Sequence, residues 1–174
     1  MCTPQPNLLR ERYQCAAVRL PDGRFVCTGG VDSDMTSLAS AEILEPRARG
    51  AIDATWRELP EMSVARGGCR GCVLSDGRFA VLGGRNVEDE DLSSCEALTV
   101  GNKEEWESLP SMNEVRSSFA CVAVAGCIVV AGGDLSSAEF ASRSVEVFDE
   151  VLSRWLRLPC DLPYRLSDMG SALL

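Results

Sequence analysis

The sequence contains no histidine and a single lysine, Lys103. Without imidazole there is no Ser-His-Asp or Cys-His nucleophile set, and most general-base, zinc and copper schemes lose their usual ligand or base. No apolar run approaches the ~18 residues that a membrane-spanning helix needs. The opening "MCTPQPNLLRERYQ" holds no apolar h-region of a signal peptide. The expected compartment is cytoplasmic, and no membrane partner is expected. Positive charge is scarce too: 17 Lys and Arg stand against 26 Asp and Glu, for a net charge of −9. Such a chain repels phosphate, which argues against a nucleic-acid surface. The nine cysteines are odd in number and, with no secretory signal, read as free thiols rather than a disulfide framework.

What is present repeats. The stretches "GRFVCTGG", "GRFAVLGG" and "GCIVVAGG" each run a turn into an apolar strand and stop on a glycine pair. The pairs are Gly29 and Gly30, Gly83 and Gly84, and Gly132 and Gly133, spaced by 54 and 49 residues. Trp56, Trp106 and Trp155 open "WRELPEM", "WESLPSM" and "WLRLPCD", and Arg66, Arg116 and Arg165 each follow a tryptophan by ten residues. Between doublet and tryptophan lies Ser-x-Glu-x-Leu/Phe, at Glu42, Glu96 and Glu146. Unrelated residue types that keep one order and nearly one period mark a repeat architecture.

Each unit reads as four short strands. In the second, "GCRGCVL", "RFAVLGG", "SCEALTV" and "EWESLP" are separated by the turns "SDG" and "GNKE" and the acidic loop "RNVEDEDLS". Strands of this length with a turn every ~8–12 residues predict an all-β fold. A strand that ends on Gly-Gly can leave its sheet through φ > 0 and let other backbone approach. Three such exits in register predict a fixed structural feature.

These residues resemble the kelch repeat: an apolar strand, a strand ending in Gly-Gly, a Glu-x-aromatic strand, then Trp-x-x-Leu-Pro. The resemblance implies four-stranded antiparallel blades of a β-propeller. It departs at Leu44, Leu98 and Phe148, where the family usually has tyrosine, and at the insertion "PRARGAIDA". Residues 1–11 read as an N-terminal extension. Residues 12–174 read as one kelch-repeat domain, with units 12–62, 63–112 and 113–161 and a partial unit 162–174 supplying the first strand of a fourth blade. About three blades make an incomplete or open propeller, because closed ones have ~4–8 blades. The expectation is that the chain belongs to a longer propeller, or that self-association covers its open blade edges.

The tryptophans are expected in the core. Each repeated glutamate either meets one of the repeated arginines, within a blade or across blades, since a carboxylate set mid-strand among apolar neighbours needs a partner, or takes a solvated position at the rim. The loops after the glycine pairs are acidic and differ among units: Asp32 and Asp34; Glu88, Asp89, Glu90 and Asp91; Asp134 and Glu139. In an antiparallel blade they share an end with the connections "EMSVAR" and "SMNEVR". Variable loops on a repeated frame are where binding resides, and a basic protein or peptide complements them. "CRGC" at 69–72 places its thiols on opposite strand faces, which argues against a redox or metal pair.

The resemblance implies a non-catalytic protein–protein interaction module, with no cofactor, serving substrate recognition for a ubiquitin-ligase adaptor or a cytoskeletal assembly. Two alternatives stand beside it. One is a propeller-based metal-dependent enzyme that uses carboxylate ligands at residues 88–91. The other is a truncated fragment without independent activity.

Overall fold

Runs of four or five residues closed by turns cannot bury a face alone, so each pairs with its neighbours in sequence. The computed structural model describes residues 6–45, 54–135 and 141–169. Its twelve strands form three sheets, each an antiparallel meander. The first holds β1 (Ala16–Arg19), β2 (Phe25–Thr28), β3 (Ala41–Glu45) and β4 (Thr55–Leu59). The second holds β5 (Arg70–Val73), β6 (Phe79–Leu82), β7 (Cys95–Thr99) and β8 (Glu105–Leu109). The third holds β9 (Ala120–Val124), β10 (Cys127–Ala131), β11 (Val145–Asp149) and β12 (Arg154–Arg157). The all-β expectation of four-stranded antiparallel blades holds. The expected first strand of a fourth blade does not appear within residues 162–169, and the rest of "MGSALL" lies outside the described residues. Glu139 and nearly all of "PRARGAIDA" lie outside them as well.

The core lies between sheets rather than inside any one of them. Val26, Ile43 and Leu59 of the first sheet meet Phe79, Val81 and Leu98 of the second. Ala80, Leu82, Cys95 and Ala97, on the opposite face of the second sheet, meet Phe119, Ile128, Val130 and Phe148 of the third. All four residues of β6 are consequently buried, as a strand covered on both faces requires. "CRGC" divides in the same way: Cys69 joins the first cluster and Cys72 the second. On the outer face of the first sheet Phe25 is 46% exposed, whereas Phe79 and Ile128, at the same place in the other sheets, are both 0% exposed.

The glycine doublets are fixed exits. Gly83 and Gly84 have φ of 54° and 95°. A Cβ on Gly84 would stand 2.8 Å from the Gly67 carbonyl oxygen, and one on Gly83 would collide with the Arg116 carbonyl oxygen. The Gly84 amide donates to that same Arg116 oxygen, so the doublet ties its sheet to the turn that begins the next.

The tryptophans sit nearer the rim than expected: Trp155 is buried, but Trp56 and Trp106 are half-buried. Their indole N–H groups explain the position. Trp106 donates to the Pro60 carbonyl (2.7 Å) and Trp155 to the Pro110 carbonyl (2.9 Å), each reaching the end of the preceding sheet. Trp56 donates likewise to Pro6. Trp155 also packs against Phe148, with ring centroids 5.2 Å apart.

Candidate functional site

Two features of the array bear on a candidate site: a buried charge ladder that links neighbouring sheets, and the loop cluster beside it.

In the ladder, the Arg66 guanidinium donates to the Gly83 and Ser94 carbonyls, to Ser94 Oγ and to Glu96 Oε1, the last at 2.9 Å. Arg116 repeats this with Gly132, Ser144 and Glu146 (2.8 Å). The Ser-x-Glu marker and the first doublet glycine are thus the parts of one cradle. Each carboxylate also accepts backbone amides from just before the arginine: Ser63 N–H on Glu96, and Asn113 and Glu114 N–H on Glu146. Charges this deeply buried persist only when paired and hydrogen-bonded. Burial pushes the Glu146 carboxyl up, but the Arg116 hydrogen bond and the Asn113 donors outweigh it and hold the group below the usual glutamate value.

The repeated glutamates do meet arginines, with two departures from the expected set. Glu42 pairs with Arg12 at 2.6 Å, a residue that the tryptophan spacing does not reach. Arg165 does not enter the series. The Gly133 amide donates to the Leu166 carbonyl, as Gly84 does to Arg116, so Leu166 occupies the repeat position. One extra residue between Pro159 and Leu162 displaces Arg165 to an exposed site, where it donates to the Ala141 carbonyl.

The second feature is a cavity of about 470 Å³ at one end of the sheets. It is lined by residues of the loops after the doublets, Met35, Arg85, Asp89 and Asp134 among them, by the connections between sheets, including Gly68 and Ser118, and by Asp168 after the third sheet. Both loop families therefore meet at one mouth. Gln14, Gly68, Ser118 and Asp168 take one left-handed conformation, with φ between 52° and 62°, and so turn the segment before the first sheet, the two connections between sheets and the segment after the third toward the same opening.

The acidic candidates separate into loop-holding and exposed groups. Asp32 Oδ1 accepts the amides of Asp34 and Thr36. Asn86 does the same for Glu88 and Glu90, so these two residues build equivalent turns. Asp91 is buried and accepts from Arg85 Nε at 3.1 Å. Asp32 and Asp91 are thereby committed within their loops. Asp34, Glu88, Asp89 and Glu90 are exposed, and Asp134 is half-buried at the cavity wall. Two charged cavity residues, Arg85 and Asp168, went unnoticed in the sequence. Arg85 is the cation of the mouth, and the fixed offset after each doublet could have marked it. Asp168 is visible only once Leu166 is placed in register.

Residues 88–91 do not converge on a common point: Asp89 and Asp91 turn to Arg85, and Glu90 to the Asn86 side chain. Among the described residues no group of three or more His, Cys, Asp or Glu could hold a metal ion, and no helix is long and apolar enough to cross a membrane.

Comparison with known proteins bears on this arrangement. The family model described as Kelch motif matches residues 116–160, which span the third sheet from its ladder arginine to just past its tryptophan. An F-box/kelch-repeat protein of Arabidopsis thaliana is 40% identical over 120 residues, covering 60% of this chain and 30% of that protein. Kelch-like protein 36 of Rattus norvegicus and of Mus musculus is 26% identical over 125 residues, covering 68% of this chain and 20% of the relative. The chain thus spans less than a third of the length of these relatives. The solved structure of YjhT shares the fold, with a TM-score of 0.72 at 14% identity, over 87% of this chain and 53% of that one.

Proposed function

Given that the chain belongs to the kelch-repeat family, we propose that it is a non-catalytic interaction module that receives a basic protein or peptide segment at the acidic mouth. The observation that carries this reading is the convergence of both loop families on one cavity, walled by Asp89, Asp134 and Asp168, with Asp34, Glu88 and Glu90 exposed on the same loops. The ladder supplies a rigid frame, and the loops on it differ in sequence from one another, as a recognition surface requires. Excess negative charge at a concave mouth favours encounter with a cationic segment and disfavours acidic partners. The pairing of F-box with kelch repeats in the name of the Arabidopsis relative supports a place in substrate recognition for a ubiquitin-ligase adaptor, in the cytoplasm.

The test is calorimetric titration with an arginine-rich peptide and with an acidic peptide of equal length. Binding of the first alone, weakened by salt and by Glu88→Gln with Glu90→Gln, is the expected result. Equal binding of both peptides, or indifference to the two substitutions, rejects the reading.

A second surface is favoured by Phe25, which is 46% exposed where its two counterparts are covered. It fits a further sheet of the same kind, from another copy or another part of a longer chain. Sedimentation of this chain alone should show association that Phe25→Arg abolishes. A monomer at every concentration removes the second-copy reading.

A further inference from the structure

Blade one differs from the others at two touching positions. Cys15 occupies the place of Cys69 and Phe119, and Cys27 the place of Val81 and Val130. Only here are both positions thiols, and their sulfurs lie 3.4 Å apart. Cys27 is buried in β2, while Cys15, just before β1, is half-exposed. Cys15 also forms part of the wall of a second cavity of about 440 Å³ along the inner strands, with Ala17, Arg70, Gly71 and Cys121. One sulfur therefore meets solvent while the other waits behind it.

We propose that Cys15 and Cys27 form a peroxide-reactive pair, in which Cys15 is the attacking thiol and Cys27 the resolving one. The hydrogen bond from Cys27 favours the Cys15 thiolate, burial opposes it and the Arg12 charge favours it again. The balance lowers Cys15 from 9.0 to about 7, even with the Glu42 charge nearby. The same contact, together with burial, raises Cys27, which keeps it protonated until it is needed. Low-pKa, accessible thiols next to a resolving cysteine are the ones that oxidise selectively.

The chemistry balances with hydrogen peroxide as the oxidant. The Cys15 thiolate attacks one peroxide oxygen, the O–O bond breaks, and the departing hydroxide takes a proton to become water. Cys15 is then a sulfenic acid. The Cys27 sulfur attacks the sulfur of that group, the S–O bond breaks, and the hydroxide leaves with the Cys27 proton as a second water. Two thiols have become one disulfide and peroxide has become two waters. Closure requires the sulfurs, 3.4 Å apart, to approach by roughly 1.4 Å, toward the ~2.0 Å of a disulfide bond.

The experiment uses the reduced full chain, a stoichiometric amount of hydrogen peroxide, alkylation of the remaining thiols, and mass spectrometry of an unreduced digest. The dominant linked peptide should join Cys15 to Cys27. Cys27→Val, which restores the residue of the other blades, should lose that link and leave Cys15 as a sulfenic acid trapped by dimedone. Cys15→Ser should lose both products. A dominant Cys15–Cys121 link, a link that excludes Cys15, or no intramolecular link in the wild-type chain overturns the proposal without reference to either variant.

Discussion

Arg66 takes its backbone from one sheet and gives its side chain to the next. Its amide donates to the Leu38 carbonyl and its own carbonyl accepts from Gly30, both in the first sheet's loop, whereas its guanidinium lies 2.9 Å from Glu96 in the second sheet. Arg116 does the same between the second and third sheets.

Removing one member of such a pair leaves the other charged and buried. Glu96→Leu or Arg66→Met alone should destabilise the fold by about 3–5 kcal/mol. The double variant should recover much of that loss, because no orphaned charge remains. Denaturant unfolding of the four proteins measures the coupling, and additive losses would show that the two side chains do not act as a pair.

The lowered Glu146 pKa predicts a pH dependence with a definite sign. The folded value lies below the ordinary 4.5, so the unfolded chain binds the proton more readily. The contribution is fully present above pH 4.5 and is lost as pH falls through the folded value. Wild type should therefore lose more stability than Glu146→Gln between pH 5 and pH 3. Parallel stability curves for the two proteins would contradict the pairing seen here.

The doublet predicts a contrast between glycines. Gly83→Ala meets both an unfavourable φ and the Arg116 carbonyl, and should cost at least about 1–3 kcal/mol. Gly101, with nothing within 4 Å of an added Cβ, should tolerate alanine within about 0.5 kcal/mol. Thermal denaturation of the two variants separates backbone constraint from a general intolerance of substitution.

Trp155 joins two contributions that substitution can divide. Trp155→Phe keeps a ring against Phe148 but loses the donation to Pro110, and should cost about 1 kcal/mol beyond the smaller contact area. Trp155→Ala removes both and should cost about 3–5 kcal/mol. Equal losses would mean that the ring contact contributes little.

The repeat was legible because its markers do physical work that few other residues can do. Gly83 must be glycine, and Glu96 in mid-strand must find a cation. The tryptophans were placed too deep, because spacing reveals an indole but not that its N–H must reach a neighbour's proline carbonyl. Arg12 was missed because no tryptophan lies ten residues before it. The parallel runs from Pro6, Pro60 and Pro110, each with Leu8, Met62 or Met112 two residues on and an arginine six residues on, would have found it. Arg165 misled through a single inserted residue, since a period read from one anchor cannot register a slip beyond it. Asp32 and Asp91 look like their exposed neighbours because composition cannot distinguish an acceptor of loop amides or of Arg85 from a free carboxylate. Cys15 and Cys27 share a sheet face by strand register, but their contact is diagonal and depends on where the chain enters β1.

The ladder has a consequence for how the array comes apart. Peeling one sheet away would strand an ion in the neighbour, on whichever side the separation began. Linear repeats whose neighbours meet only through apolar surface can fray from the ends. Here fraying carries an electrostatic penalty at each step, so calorimetry should record one shared transition for all three sheets instead of a staircase.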